Sequence, residues 1–258
     1  MRGGIPLNVF AAFVAALLVL PILAIVPVAF SQQSFVRLPP AAWSTRWWTA
    51  FFADPSWLRA LLTSLQVACL SSLLAVAAGT AAALGLARLP ATLQKGATAL
   101  FIGPVVAPVI VMAVGLYAIA RAFGLVGTVA GLVLAHTMMA LPYVALNVGV
   151  SVAALDPRLG LAAAGLGAGP ARIFRTVTLP LILPGVVGGG VFAFVTSFDE
   201  VVLSVFLSGP GVKTLPVRIW EEVRVEYTPV VAVAATIMIA LAFAGAAASR
   251  LATRRAPA

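Results

Sequence analysis

The chain alternates long apolar runs with short polar breaks. Runs at residues 7–30, 61–87, 98–120, 125–150, 181–207 and 230–248 are each long enough to cross a bilayer core as a helix, for which about 20 apolar residues suffice. Each run is continuous rather than alternating, which predicts spanning helices and not a barrel. Pro21 and Pro27 break the first run, and Pro104 and Pro108 kink the third, because proline removes a rung of the helical ladder. Gly185, Gly188, Gly189 and Gly190 in the fifth run let another helix approach closely. The expectation is an all-α polytopic membrane protein with six transmembrane helices in one domain, residues 1–258. A cleaved signal peptide is not expected, since its apolar region would be shorter and end in a small-residue site.

The polar breaks differ in kind. Residues 31–57 carry Trp43, Trp47, Trp48 and Trp57, four of the five tryptophans, which predicts a segment lying at the headgroup level. Residues 208–229 leave the membrane again, with a short amphipathic helix starting at Pro216. The break at 156–180 is the most structured. Asp156 caps a helix that Pro157 opens, with Leu159, Ala162, Ala163 and Leu166 on one face. Gly167, Gly169 and Pro170 end it, and a second short helix over 171–177 follows before Leu179-Pro180 closes the unit. At ~1.5 Å per residue the first helix is only ~15 Å long. Such a small-residue knob, ringed by Arg158, Arg172 and Arg175, has a shape suited to a groove on another protein.

Composition agrees with the pattern. The chain is 62% hydrophobic and 9% charged, with a mean hydropathy of +1.13, against ~45–50% apolar and ~25% charged in soluble domains. The net charge of +9 comes from arginines flanking the runs together with few acids, so no nucleic-acid partner is expected. Cys69 is the sole cysteine and lies in an apolar run, which excludes an intrachain disulfide. No G-x-x-x-x-G-K-[ST] phosphate loop occurs, because Gly211-Val212-Lys213-Thr214 has glycine and lysine in the wrong order. No nucleophile motif or metal-ligand spacing is present either, so neither an enzyme nor a resident cofactor is expected. His136 reads as a buried, hydrogen-bonded histidine, there being no acid near it in sequence.

Two adjacent acids, Asp199 and Glu200, stand within the fifth run. One Asp near a span centre costs ~2.5–3.5 kcal/mol, so these carboxylates must avoid lipid. Thr196, Glu200 and Ser204 fall on one helical face with Ser197 beside it. Thr196, Ser197, Asp199 and Glu200 are therefore candidates for a cation-attracting lining of a transport path. The alternative is a structural network, for instance with Arg121, or exposure at the interface.

Leu161-Ala162-Ala163, then Gly167, then Val177-Thr178-Leu179-Pro180 resemble the signature E-A-A-(x3)-G-(x9)-I-x-L-P. That signature marks the inner-membrane permeases of binding-protein-dependent ABC importers. Leu161 replaces the glutamate and Val177 the isoleucine; AHTMMALPY, ahead of the loop, extends the likeness. FAFVTSFDEVVLSVFLSGPGVKTLPVRIWEE, from Phe192 to Glu222, resembles the polyamine (spermidine/putrescine) branch.

The resemblance implies a type-I-like permease whose 156–180 loop is the coupling helix between helices four and five. Leu161, Ala162, Ala163, Gly167, Ala168, Arg172, Arg175, Val177, Leu179 and Pro180 would engage the ATPase. It implies as partners a second homologous permease, two ABC ATPase subunits holding ATP and Mg, and a periplasmic or extracytoplasmic solute-binding protein. The implied place is the bacterial cytoplasmic (inner) membrane, amid lipid, with both termini and the loop cytoplasmic. Arg2, Arg88, Lys95, Arg158, Arg172, Arg175, Arg250, Arg254 and Arg255, nine of the 16 basic residues, would then lie inside. The expected cargo is a polyamine, with iron, sulfate, phosphonate or sugar as alternatives. A proton-coupled secondary transporter would account for the acids but not for the loop spacing.

Overall fold

The computed structural model describes residues 5–35, 37–225 and 228–254, with side chains described within residues 7–247. Arg2 and Arg255 of the expected inner-face cluster, both termini, and residues 226–227 of the second polar break lie outside the described residues. Two compact units are formed, one by the described residues of Met1–Arg59 with Arg218–Leu241, the other by those of Ala60–Val217 with Ala242–Ala258.

The first unit holds α1 (Ile5–Leu23), α2 (Ile25–Ala29), α3 (Arg46–Ala53), the opening of α4 (Pro55–Leu86), most of α12 (Leu215–Val225) and the first part of α13 (Val230–Arg254). Residues 7–23 of α1 are exposed all round, as suits a helix surrounded by lipid. The aromatic residues organise the rest. Phe51 is fully buried, edge-on to Phe52 at 5.2 Å and tilted against Trp57 at 5.6 Å. Trp48 packs on Phe30 at 5.4 Å, and the Trp47 indole donates to the Gln33 carbonyl at 3.0 Å. The four tryptophans therefore differ in setting. Trp43 is exposed, whereas Trp57 is a core residue whose face carries the Arg218 guanidinium at 4.7 Å.

The second unit is built on two antiparallel helices, α7 (Val129–Ala153) and α10 (Leu179–Phe198). Thr128 caps α7 by accepting from the Gly131 N–H at 3.1 Å. A Cβ on Gly185 would strike Ser151 and the Asn147 carbonyl, and one on Gly189 would sit 3.1 Å from Val144 Cα. Glycine is thus what lets the two backbones meet. Ala140, Val144, Val148, Ile182 and Ala193 fill the seam, closed by Ala75 and Ala83 of α4.

Two expected spans are built differently. The third run is a pair, α5 (Ala91–Val106) and α6 (Val109–Ala122), bent by 98°. Ala107, held extended before Pro108 at φ −66° and ψ 137°, makes the corner, while Pro104 is absorbed inside α5. Five helices among the described residues are long and apolar enough to cross a membrane, six if this bent pair counts as one span.

The fifth span is displaced relative to 181–207. Its helix starts at α9 (Pro170–Ile173), passes through a π turn (Phe174–Thr178) and continues as α10 to Phe198. The expected second short helix at 171–177 is therefore its first turns and not a separate element. Pro180 has no N–H for the carbonyl four residues back, and the backbone accommodates this by widening rather than stopping. After Phe198 the helix breaks and resumes as α11 (Val202–Leu207).

Candidate functional site

The loop between α7 and α10 folds from local signals. Asp156 accepts from the Arg158 N–H at 2.8 Å and caps α8 (Pro157–Gly165). At the other end Gly167 takes φ +83°, the left-handed region that favours glycine. The Ala168 N–H then reaches the Ala163 carbonyl at 3.0 Å, and the Gly167 N–H the Ala164 carbonyl at 2.9 Å. This double closure seals the end of α8, and Pro170 opens α9 at once.

The signature residues divide by exposure. Leu161 is 72% exposed and Leu166 89%; Ala162, Gly167, Arg172, Arg175 and Pro180 are exposed as well, and Ala163, Ala168, Val177 and Leu179 are half-buried. The apolar face of α8 is thus presented outward and not folded into this chain. Val177 lies in the π turn, where the Thr176 hydroxyl donates to the Arg172 carbonyl at 2.7 Å.

The second region is the break after α10. The polar stripe expected from Thr196 through Glu200 to Ser204 does not exist as one face, because the helix is interrupted between Phe198 and Val202. Asp199 terminates α10 and is exposed; Thr196 is half-buried. Glu200 Oε1 accepts from the Leu203 N–H at 2.8 Å and so caps the start of α11. Arg121 sits exposed in the last turn of α6 and pairs with neither acid among the described residues.

Ser197 points inward instead. Its hydroxyl lies 2.8 Å from His136 Nδ1 and 2.9 Å from the Ser71 hydroxyl, while His136 Nε2 lies 3.1 Å from Ser204 Oγ. All four side chains are buried. The expectation of a hydrogen-bonded His136 holds, but the sequence pattern does not single out Ser71 and Ser204 as its network. The available signal is two serines seven residues apart on each of two apolar helical segments, Ser64 and Ser71, Ser197 and Ser204. Ser64 is engaged elsewhere, accepting from the Leu215 N–H at 2.8 Å.

No group of three or more metal-ligating side chains lies together among the described residues. A cavity of about 550 Å³ near the start of the loop is lined by apolar groups such as Leu86, Phe101, Ile102 and Leu146, with Gln94 and Thr98 as its polar members. None of Thr196, Ser197, Asp199 and Glu200 lines it.

Residues 75–256 match the family described as binding-protein-dependent transport system inner membrane component. The spermidine/putrescine transport system permease protein PotC of Haemophilus influenzae is 34% identical, over 96% of this chain and 96% of that protein. The putrescine transport system permease protein PotI of Escherichia coli K12 is 32% identical, over 85% of this chain and 80% of that protein. In fold, the chain is similar to a crystal structure of a bacterial alginate ABC transporter in complex with an alginate pentasaccharide-bound periplasmic protein. The TM-score is 0.70 at 14% identity, covering 95% of this chain and 91% of that one.

Proposed function

The chain belongs to the binding-protein-dependent transport system inner membrane component family, and we propose that it forms half of the membrane path of an ATP-driven polyamine importer. As a member of that family it is a multi-pass inner-membrane transport subunit of an ABC importer. Polyamine as cargo rests on one observation: a spermidine/putrescine permease aligns with 96% of the chain at 34% identity. Asp199, exposed at the break in the α10–α11 segment, gives that reading a chemical counterpart, since a carboxylate there offers a polycation an attractive contact.

Coupling runs through the α8–α9 loop. One of two ATPase subunits that bind ATP and Mg receives the loop in a groove on the cytoplasmic side. Leu161, Ala162, Ala163, Gly167 and Ala168 provide the close-fitting surface, with Leu161 making an apolar contact in place of the signature glutamate. Arg172 and Arg175 flank it, and Val177, Leu179 and Pro180 join the loop to the span. Supporting this are the outward-facing apolar side of α8 and the short, rigid connections on both sides. Both termini are then cytoplasmic. A second, homologous permease completes the path, and a periplasmic binding protein delivers the solute. Along the path, Asp199 attracts the cation, Thr196 adds a hydroxyl, and Ser197 and Glu200 hold the break in shape.

The experiment is uptake of radiolabelled spermidine and putrescine into proteoliposomes holding the complete assembly. ATP-dependent accumulation supports the proposal. Uptake driven by a proton gradient without ATP overturns the ABC mechanism, and ATP-dependent uptake of iron, sulfate, phosphonate or sugar without polyamine uptake overturns the cargo alone.

A further inference from the structure

The four-residue network around His136 joins the elements that the coupling role needs to move together. His136 is on α7, Ser197 on the last turn of α10, Ser204 on α11 and Ser71 on α4. His136 therefore holds both sides of the break, one ring nitrogen on each. Its arms are satisfied in either tautomer of the neutral ring. If Nδ1 accepts, Ser197 donates to it, Ser71 donates to Ser197, and Nε2–H donates to Ser204. If Nδ1–H donates to Ser197, Ser204 donates to Nε2, Ser197 donates to Ser71, and Ser71 turns to the Ala68 carbonyl 3.3 Å away.

The location gives the network a consequence. α7 and α10 are the two helices that lead out of the α8–α9 loop, and their backbones are locked together at Gly185 and Gly189. At ~1.5 Å rise per residue, roughly 25 Å of helix separates the loop from His136 along either arm. A displacement of the loop carried along this packed pair would meet its first interruption of the helical backbone after Phe198, at the break. Across the break, α11 is held to α7 by the Nε2–Ser204 arm, by Leu203 against Met139 and by Leu207 among Leu132, Val133 and Ala135, and it packs on α6 as well; the Ser204 arm is the polar one of these ties.

We propose that His136 is a positioning residue, a two-armed clasp between Ser197 and Ser204 that makes the Asp199–Val201 break follow the movement of the coupling loop. Both ring nitrogens of any buried imidazole need partners; what is particular here is that the two partners stand on opposite sides of a helix interruption. The proposal rests on the coupling role given above to the α8–α9 loop, but its test uses no cargo and so fails independently of the polyamine reading.

The test places a single cysteine at Val201→Cys in a Cys69→Ala background, because the native Cys69 is exposed. The complete assembly in proteoliposomes is labelled with a small maleimide, at rest and with a non-hydrolysable ATP analogue bound. With His136 present, the labelling rate at position 201 differs severalfold between the two states. In His136→Ala the difference vanishes while assembly and ATP hydrolysis persist. Ser204→Ala, a milder change, loses most of the difference, and adding His136→Ala to it causes little further loss, as expected for groups acting as one unit. An unchanged state difference in His136→Ala overturns the proposal, as does its absence with His136 present. Additive losses in the double variant also overturn it.

Discussion

Glu200 Oε1 accepts the Leu203 backbone N–H at 2.8 Å, so the carboxylate is occupied in starting α11. Its neighbour Asp199 closes α10 and stands exposed beside it. Two adjacent acids with the same charge thus have separate tasks, one holding the backbone at a helix break and the other facing outward from it.

Substitution should separate them. Asp199→Asn removes a charge-assisted contact of ~1.5–3 kcal/mol and should raise KM for spermidine about 10–150-fold. Glu200→Gln keeps an oxygen that accepts the Leu203 N–H and should leave uptake within about twofold. Glu200→Ala, which loses the cap, should cost ~0.5–2 kcal/mol in thermal stability. Equal loss of uptake in Asp199→Asn and Glu200→Gln would show that both carboxylates meet the cation.

Gly167 should be intolerant for two separable reasons. At φ +83° any side chain is strained, by about 1–2 kcal/mol for a residue forced into the left-handed region. Gly167→Ala carries that strain alone and should lower the melting temperature slightly while transport remains coupled. Gly167→Trp adds bulk to an outward-facing surface and should cut solute moved per ATP hydrolysed with the spans still inserted. Normal coupling in Gly167→Trp would falsify the docking role of the loop.

The α7–α10 seam should resist any side chain at Gly185, where a Cβ would meet the Asn147 carbonyl oxygen at 2.7 Å. Gly185→Leu forces backbone movement, so a loss of at least ~1–3 kcal/mol is expected in detergent-solubilised protein. Gly149, on α7, has open space where a Cβ would stand, with nothing within 4 Å. Gly149→Ala should therefore gain roughly 0.5–1 kcal/mol from the better helix former. Melting curves of the two variants should move in opposite directions.

In the first unit, Arg218 holds Glu222 at 2.8 Å and stacks on Trp57 at 4.7 Å. Arg218→Ala loses both, and since the ion pair is partly solvated the total should be about 0.5–1.5 kcal/mol. Arg218→Lys keeps charge but not the planar stack, so it should fall between. Raising the salt concentration should narrow the gap between Arg218→Ala and the parent; a gap that salt does not change would assign the whole effect to stacking.

What the sequence alone determined is whatever depends on a residue and its near neighbours. The length of the apolar runs dictates a polytopic helical protein, because backbone polar groups in lipid must be satisfied within each helix. Asp156, Pro157 and Gly167 set the start and stop of α8 through hydrogen bonds spanning a few residues. The signature spacing identified the loop for the same reason. The tertiary structure decided where distant parts of the chain compete. Apolarity carried the fifth run on to Leu207, but the helix breaks after Phe198, and Glu200 turns to capping α11. Trp57 has the character of an interfacial residue, yet it is buried between Phe51 and a guanidinium from far along the chain. The pairing of His136 with Ser197 and Ser204 crosses separations of 61 and 68 residues. No local propensity encodes such a contact; it forms because close packing of α7 against α10 leaves a buried imidazole only those hydroxyls to satisfy its two nitrogens.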